Sequence, residues 1–313
     1  MAITVSNTGY IKRTAVTEYR SQRRGGKGRI GMRTRDEDFL THLFVASTHA
    51  YILILSDRGR LYWLKVHAIP DVGPDGRGKS IANLVSMEPE EKIAALLAVR
   101  EWPAEDGERY IVTGTRRGVV KKTDLRSFRH PHQAGIIAVG VAENDAVIAA
   151  EITDGQGEIF LGTRRGKAIR FPERDVRPMG RTAHGVRGIR LRAGDEVVGM
   201  AVVRSGGAVL TVTEHGYGKR TELDEYRSQS RGGVGIISIH TTVRNGRVAG
   251  IEYVEEEDEL MLITQKGKVL RMDTKDIRPI GRATQGVRLI EIDDHDRVVS
   301  LARLREETGD GTE

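Results

Sequence analysis

The chain contains no cysteine. Disulfides, thiolate nucleophiles and cysteine-bound metals are thereby excluded, and the composition fits a reducing cytosol. Aromatic residues are scarce, at 5% of 313 residues. Long apolar runs are also missing. The longest clean one, Ile93 to Val99, is far too short to span a bilayer, and the opening residues do not read as a signal peptide, so a soluble protein is expected. The nine histidines form no metal constellation: His130 and His132 flank Pro131, with neither a third ligand nor a helical i, i+4 spacing. No nucleophile with a nearby base and no isolated pair of acids stands out, so catalysis by this chain alone is not expected.

What the chain has instead is glycine, 37 in all, much of it in register. Six times a short apolar strand runs into Ser/Thr-x-x-Gly and leaves as a basic strand. The turns end at Gly9, Gly59, Gly118, Gly166, Gly216 and Gly267, spaced 50, 59, 48, 50 and 51 residues apart. A second glycine follows each turn, at Gly28, Gly78, Gly135, Gly185, Gly235 and Gly286, 19 residues on in five cases and 17 in the third. A period near 50 residues overrides the two-domain reading of length and indicates an array of like units.

Around each turn the pattern has period two, which predicts an antiparallel hairpin. In the turn a hydroxyl side chain bonds the backbone, and glycine takes the left-handed residue at no steric cost. After each hairpin come a loop rich in Pro, Arg and Gly, a short apolar strand such as Ile136 to Val139, and a fourth strand such as Val147 to Ala150. Four strands per unit make a blade, and six blades predict an all-β, six-bladed β-propeller-like ring, in which closure leaves few free strand edges. The blades are expected at about 1–48, 49–108, 109–157, 158–206, 207–257 and 258–304. The segment Ser86 to Arg109 lengthens the second unit, and its Glu90 to Val99 stretch reads either as that unit's fourth strand or as a helical turn. Residues 305–313 form a short acidic tail that reads as disordered.

Charge is modest in total but uneven. Lys and Arg number 50 against 44 acids, a net charge of +6. The acids gather in connecting segments such as Glu255 to Glu259, whereas the bases sit beside the repeat glycines. A basic surface recurring once per unit suits a polyanion longer than one unit. Gly73 to Ser80 matches the phosphate-loop pattern G-x-x-x-x-G-K-S, but that loop must follow a parallel strand and open a helix. Here Gly78 is already the second repeat glycine, so no nucleotide site is expected.

In the first unit the loop before the second glycine reads Gln22-Arg23-Arg24-Gly25-Gly26-Lys27-Gly28. Three cations and three glycines in seven residues let a loop lie close to a duplex, with backbone N–H groups and guanidinium forks facing phosphates. The heptapeptide resembles the signature box of the DNA gyrase A C-terminal domain, complete at all seven positions, and the six repeats resemble that domain's pinwheel of blades. The resemblance implies chiral wrapping of double-stranded DNA through Gln22 to Gly28. It further implies, as partners within an A2B2 enzyme, the rest of the gyrase A protein together with the gyrase B protein. ATP and magnesium would be cofactors of that enzyme only, and the setting would be bacterial, cytoplasmic and nucleoid-associated. No segment resembles the breakage region of the family. A plain ring-closing loop is the structural alternative for the box.

The fifth unit carries a decayed copy, Tyr226 to Gly235, that keeps Gly-Gly-x-Gly but only Arg231 of the three cations. Further rim contacts are expected among Arg77, Lys79, Arg181, Arg187, Arg282 and Arg288 in the loops. After the turns the candidates are Lys12, Arg13, Lys121, Lys122, Lys167, Arg170, Lys219, Arg220, Lys268 and Arg271, of which strand alternation lets about half face one side. Alternative readings are the C-terminal domain of the A-type protein of topoisomerase IV, which usually has a degraded box, a protein-interaction propeller, and a propeller hydrolase with a channel-lined site.

Overall fold

The computed structural model describes residues 1–6, 8–15, 40–73, 76–104, 107–132, 134–266, 268–293 and 295–304. Every turn read from the sequence closes a hairpin. The units run β1 (Ala2–Ser6), β2 (Tyr10–Thr14) and β3 (Leu40–Val45), then β4 (Tyr51–Ser56), β5 (Arg60–Lys65), β6 (Lys79–Ser80) and β7 (Ile93–Val99). The third unit holds β8 (Tyr110–Thr115), β9 (Val119–Asp124), β10 (Ile136–Ile137) and β11 (Val147–Thr153). The fourth holds β12 (Glu158–Thr163), β13 (Lys167–Pro172), β14 (Val186–Arg187) and β15 (Val197–Val203). The last two hold β16 (Ala208–Thr213), β17 (Tyr217–Glu222), β18 (Ile236–Ile237) and β19 (Val248–Val254), then β20 (Glu259–Thr264), β21 (Val269–Asp273), β22 (Val287–Arg288) and β23 (Val298–Leu304). The ambiguous stretch of the second unit is therefore a strand, β7.

A short strand does not stay with its own hairpin, contrary to the one-unit, one-blade expectation. The sheet orders are β3-β1-β2-β6, β10-β5-β4-β7, β11-β8-β9-β14, β15-β12-β13-β18 and β19-β16-β17-β22, with β21-β20-β23 as the described part of the sixth. Each two-residue strand thus caps the outer edge of the preceding sheet, as Ile236 and Ile237 do against Ala168 and Lys167. Blades are interlocked by exchange. The seven-residue strands lie on the inner side, where β7, β11, β15, β19 and β23 pack in succession and β23 meets β3.

The cores lie between blades rather than inside them. In β4, Leu53 and Leu55 join Ile111 and Leu125 of the third unit, while Ile52 and Ile54 join Ile3, Val5 and Ile11 of the first. Period-two alternation divides one strand between two cores, so both faces are dry and the strand reads as a continuous apolar run. Each such buried Leu or Ile contributes about 1.5–3 kcal/mol of transfer free energy. The turn glycines are fixed by the same interlocking. Gly166 has φ +82°, and a Cβ there would lie 2.2 Å from the Ile239 carbonyl oxygen, because the Gly166 carbonyl itself accepts the N–H groups of Ser238 and Ile239.

Candidate nucleic-acid interface

The outer edge of the ring is a belt of main chain. Beyond the short strands, each loop bonds the next: Gly140 N–H donates to Ala183 O at 3.0 Å, Gly232 N–H to Gly188 O at 2.6 Å, Arg190 N–H to Gly233 O at 2.8 Å and His240 N–H to Thr284 O at 2.8 Å. This belt runs unbroken from the third unit to the sixth.

The cations along it are held by neutral acceptors. Arg231 donates to Asp175 O at 3.0 Å and Arg187 O at 3.2 Å, Arg282 to Ile237 O at 3.0 Å and Arg60 to Ala134 O at 2.5 Å. Arg77 lies over the Tyr10 ring at 4.0 Å. Arg244 and Arg288 both donate to the Tyr217 hydroxyl, at 3.3 and 3.2 Å, and these two bonds, Arg288 foremost, pull the phenol below its ordinary pKa. A carbonyl or phenol orients a guanidinium without cancelling its charge, so the perimeter keeps its positive field. Lys79, Arg181, Arg187, Arg231 and Arg288 are exposed there.

At the hairpin turns the partners are mixed: Arg116 and Arg117 donate to Asn144 O and Arg297 to Gln265 Oε1, whereas others meet carboxylates. Arg58 pairs with Glu90 at 2.7 Å, and Arg164 bridges Glu196 and Glu214, both at 2.8 Å. At the other end of the blades Arg126 pairs with Asp124 and Arg204 with Asp154. Exposed cations thus recur along the edge of the ring, while part of the charge at its ends is paired with carboxylates.

The rim expected from sequence divides accordingly. Lys12, Lys121, Lys122, Lys219 and Arg220 are buried, at 0–8% exposure, which excludes them as contacts. Lys12, Lys121 and Lys219 point their Nζ atoms at main-chain carbonyls, and Lys122 faces the buried Glu173 at 3.6 Å. Burial lowers Lys121 to about 8 and Lys219 to about 7, with Arg181 and Arg282 respectively adding to the effect. Arg271 is exposed but bound by Glu259, Arg170 is held by Glu158 at 2.7 Å, and Arg13 stands 3.7 Å from Asp71. Lys167 is half-buried, and Lys268 is exposed with its Nζ on Glu291 O. Residues Gln22 to Gly28 lie outside the described residues.

Sequence reasoning missed Arg60, Arg190 and Arg244. Arg60 follows its turn glycine as Lys167 and Lys268 follow theirs, so the repeat register contained the signal. Arg244 had none, because its partner Tyr217 is 27 residues away. Among the described residues, no group of three or more His, Asp or Glu side chains is placed to hold a metal, and no helix is long and apolar enough to cross a membrane.

A ring of four-stranded blades that exchange their short strands, with exposed cations along its perimeter, defines a six-bladed propeller. The sequence matches the family model described as DNA gyrase C-terminal domain, beta-propeller, in six stretches: 1–47, 50–100, 109–154, 157–204, 208–255 and 258–305. The chain belongs to the DNA gyrase C-terminal domain family. It is 46% identical over 310 residues to the DNA gyrase A protein of Salmonella typhimurium, covering 99% of this chain but 35% of that protein. It thus spans about a third of the length of such relatives. Among solved structures, a DNA gyrase A C-terminal domain superposes with a TM-score of 0.81 at 26% identity, covering 97% of this chain and 99% of that one. The C-terminal domain of a DNA topoisomerase IV gives 0.80 at 26%, covering 96% and 92%.

Proposed function

We propose that this chain binds double-stranded DNA through its backbone and wraps it with one hand around the perimeter, as the wrapping domain of a gyrase A protein. The observation that carries this reading is the run of belt cations held by carbonyls, a ring face or a phenol, none of which cancels their charge. Bending a few tens of base pairs costs on the order of 1–6 kcal/mol or more, so the contacts must be spread along a curved surface. The belt supplies such a surface, and contacts to the phosphate backbone position a duplex without reading its bases.

In this reading the domain acts without a reaction of its own. It presents a handed DNA crossing to an A2B2 enzyme built from the gyrase A and gyrase B proteins, in which ATP and magnesium are used elsewhere and negative supercoils result. Its setting is the bacterial cytoplasm, at the nucleoid. The topoisomerase IV fold superposes almost equally well, so it is the sequence that favours gyrase: 46% identity to a gyrase A protein, together with the complete Gln22 to Gly28 box.

The test is to incubate the chain with nicked plasmid, seal with ligase, remove protein and measure linking number. A positive shift that is lost in Arg23/Arg24/Lys27→Ala is expected. Binding with no shift in the wild type would overturn wrapping, and indifference to DNA at moderate salt would favour a protein-interaction propeller.

A further inference from the structure

The buried lysines recur in alternate blades. Three residues after the turn glycine, the first, third and fifth units have Lys12, Lys121 and Lys219, whereas the second, fourth and sixth have Tyr62, Ile169 and Leu270. An uncharged side chain therefore serves this position in half the ring, apolar in two units and a tyrosine bonded to Glu91 in the third, and burial alone gives no reason for an amine.

Each lysine reaches into the loop of the following unit. Lys12 Nζ donates to Gly73 O at 3.1 Å, Lys121 Nζ to Arg181 O at 2.5 Å as well as Ala138 O at 2.6 Å, and Lys219 Nζ to Gly281 O at 2.8 Å and to Arg282 O. Two residues further along the strand, the Thr14 and Thr221 hydroxyls donate to Val72 O at 2.9 Å and Ile280 O at 2.8 Å. The main chain completes the grip. Parallel bridges join Arg13 to Asp71, Lys122 to Pro178 and Arg220 to Pro279. The gripped loops carry Arg77 with Lys79, Arg181, and Arg282, the cations of every second stretch of the belt. At the corresponding place in the fourth blade, Gln229 N–H meets Arg170 O without a lysine beside it.

We propose that Lys12, Lys121 and Lys219 are positioning residues for wrapping: they hook the carbonyls of alternate perimeter loops and so set where the loop cations stand, without touching DNA. A neutral amine retains two N–H groups, enough for the two carbonyls that Lys121 and Lys219 each engage. This inference rests on the wrapping function proposed above.

The experiment uses Lys121→Met and Lys219→Met, singly and together, with Thr221→Val as a milder release of the same loop. Linking-number shift and the salt dependence of affinity are measured on each, after circular dichroism shows it folded. The double variant is expected to lose roughly half or more of the shift, since displacement of a site by about 1 Å is enough to impair it. The slope of log affinity against log salt is expected to stay at the wild-type value. A slope lowered by about 0.9 per lysine would make them phosphate contacts and overturn the proposal. So would an unaltered shift in folded variants, and if the methionine variants do not fold, the shift of Thr221→Val decides in the same way. A wild-type protein that binds without any shift defeats the wrapping reading and this proposal together, whereas a wild-type shift preserved in the variants defeats the proposal alone.

Discussion

Replacing Lys122 by methionine keeps the stem and removes the charge at a place where no water can compensate. The side chain of Lys122 is 6% exposed and that of Glu173 is 0%, with Nζ and Oε1 3.6 Å apart. Glu173 Oε2 accepts the Thr153 hydroxyl at 2.8 Å, but Oε1 has no hydrogen-bond partner, so the lysine charge is its compensation. At an effective dielectric constant of about 20, unit charges at this separation attract by roughly 5 kcal/mol, and breaking a buried pair from one side typically costs about 3–5. Lys122→Met should therefore destabilise the protein by about 3–5 kcal/mol, a large part of a typical domain stability of about 5–15. Urea denaturation followed by circular dichroism measures it. Adding Glu173→Gln removes the stranded carboxylate and should restore most of the loss. A cost under about 1 kcal/mol for Lys122→Met, or a double variant no better than the single one, would refute the reasoning.

Three further outcomes are expected. Arg187→Ala and Arg288→Ala should each lower the salt slope of DNA affinity by about 0.9, while Arg271→Ala, already bound by Glu259, should leave it unchanged. Burial holds Lys219 at about 7 against 10.5 for the free side chain, so between those values the unfolded chain binds more protons and stability rises with pH. This contribution is lost progressively as pH falls from about 10.5 to about 7, so urea midpoints should rise from pH 7 to 10 in the wild type and rise less in Lys219→Met, where Lys121 at about 8 leaves a residual slope. Gly166→Ala forces a Cβ to 2.2 Å from the Ile239 oxygen at positive φ and should cost about 1–3 kcal/mol or more by the same denaturation assay.

The hairpins and their number were legible because Ser/Thr-x-x-Gly is a local requirement: Ser56 Oγ takes the Arg60 N–H and Thr163 Oγ1 the Lys167 N–H within five residues. The partner of a two-residue strand is not local. Ile236 and Ile237 carry no mark that assigns them to β13 rather than to β17, and ring geometry decides. Side-chain burial was misread for a related reason. Lys121 and Lys122 look like surface bases beside a turn, but their partners, Arg181 O and Glu173, are 60 and 51 residues away. The alternation itself was visible in the chain, since Lys-x-Thr stands at 12–14, 121–123 and 219–221 and Tyr62-Trp63-Leu64 or Ile169-Arg170-Phe171 between them.

Strand exchange explains why a basic perimeter can act as one surface. Each short strand covers the hydrogen-bonding edge of its neighbour's sheet, which removes an edge that would otherwise invite pairing with another chain. The loop that follows is thereby fixed by two blades at once. Val176 and Ile189 of the fourth unit pack in the same core as Val112 and Val120 of the third, so a shift of one blade moves the cations borne on the sheet before it. The spacing of Arg181, Arg187, Arg231 and Arg288 along the belt is then a property of the packed ring and not of any blade alone. For a polyanion that must be bent, this matters more than the total charge: the work of bending is recovered only if successive contacts stay at the positions a curved duplex presents.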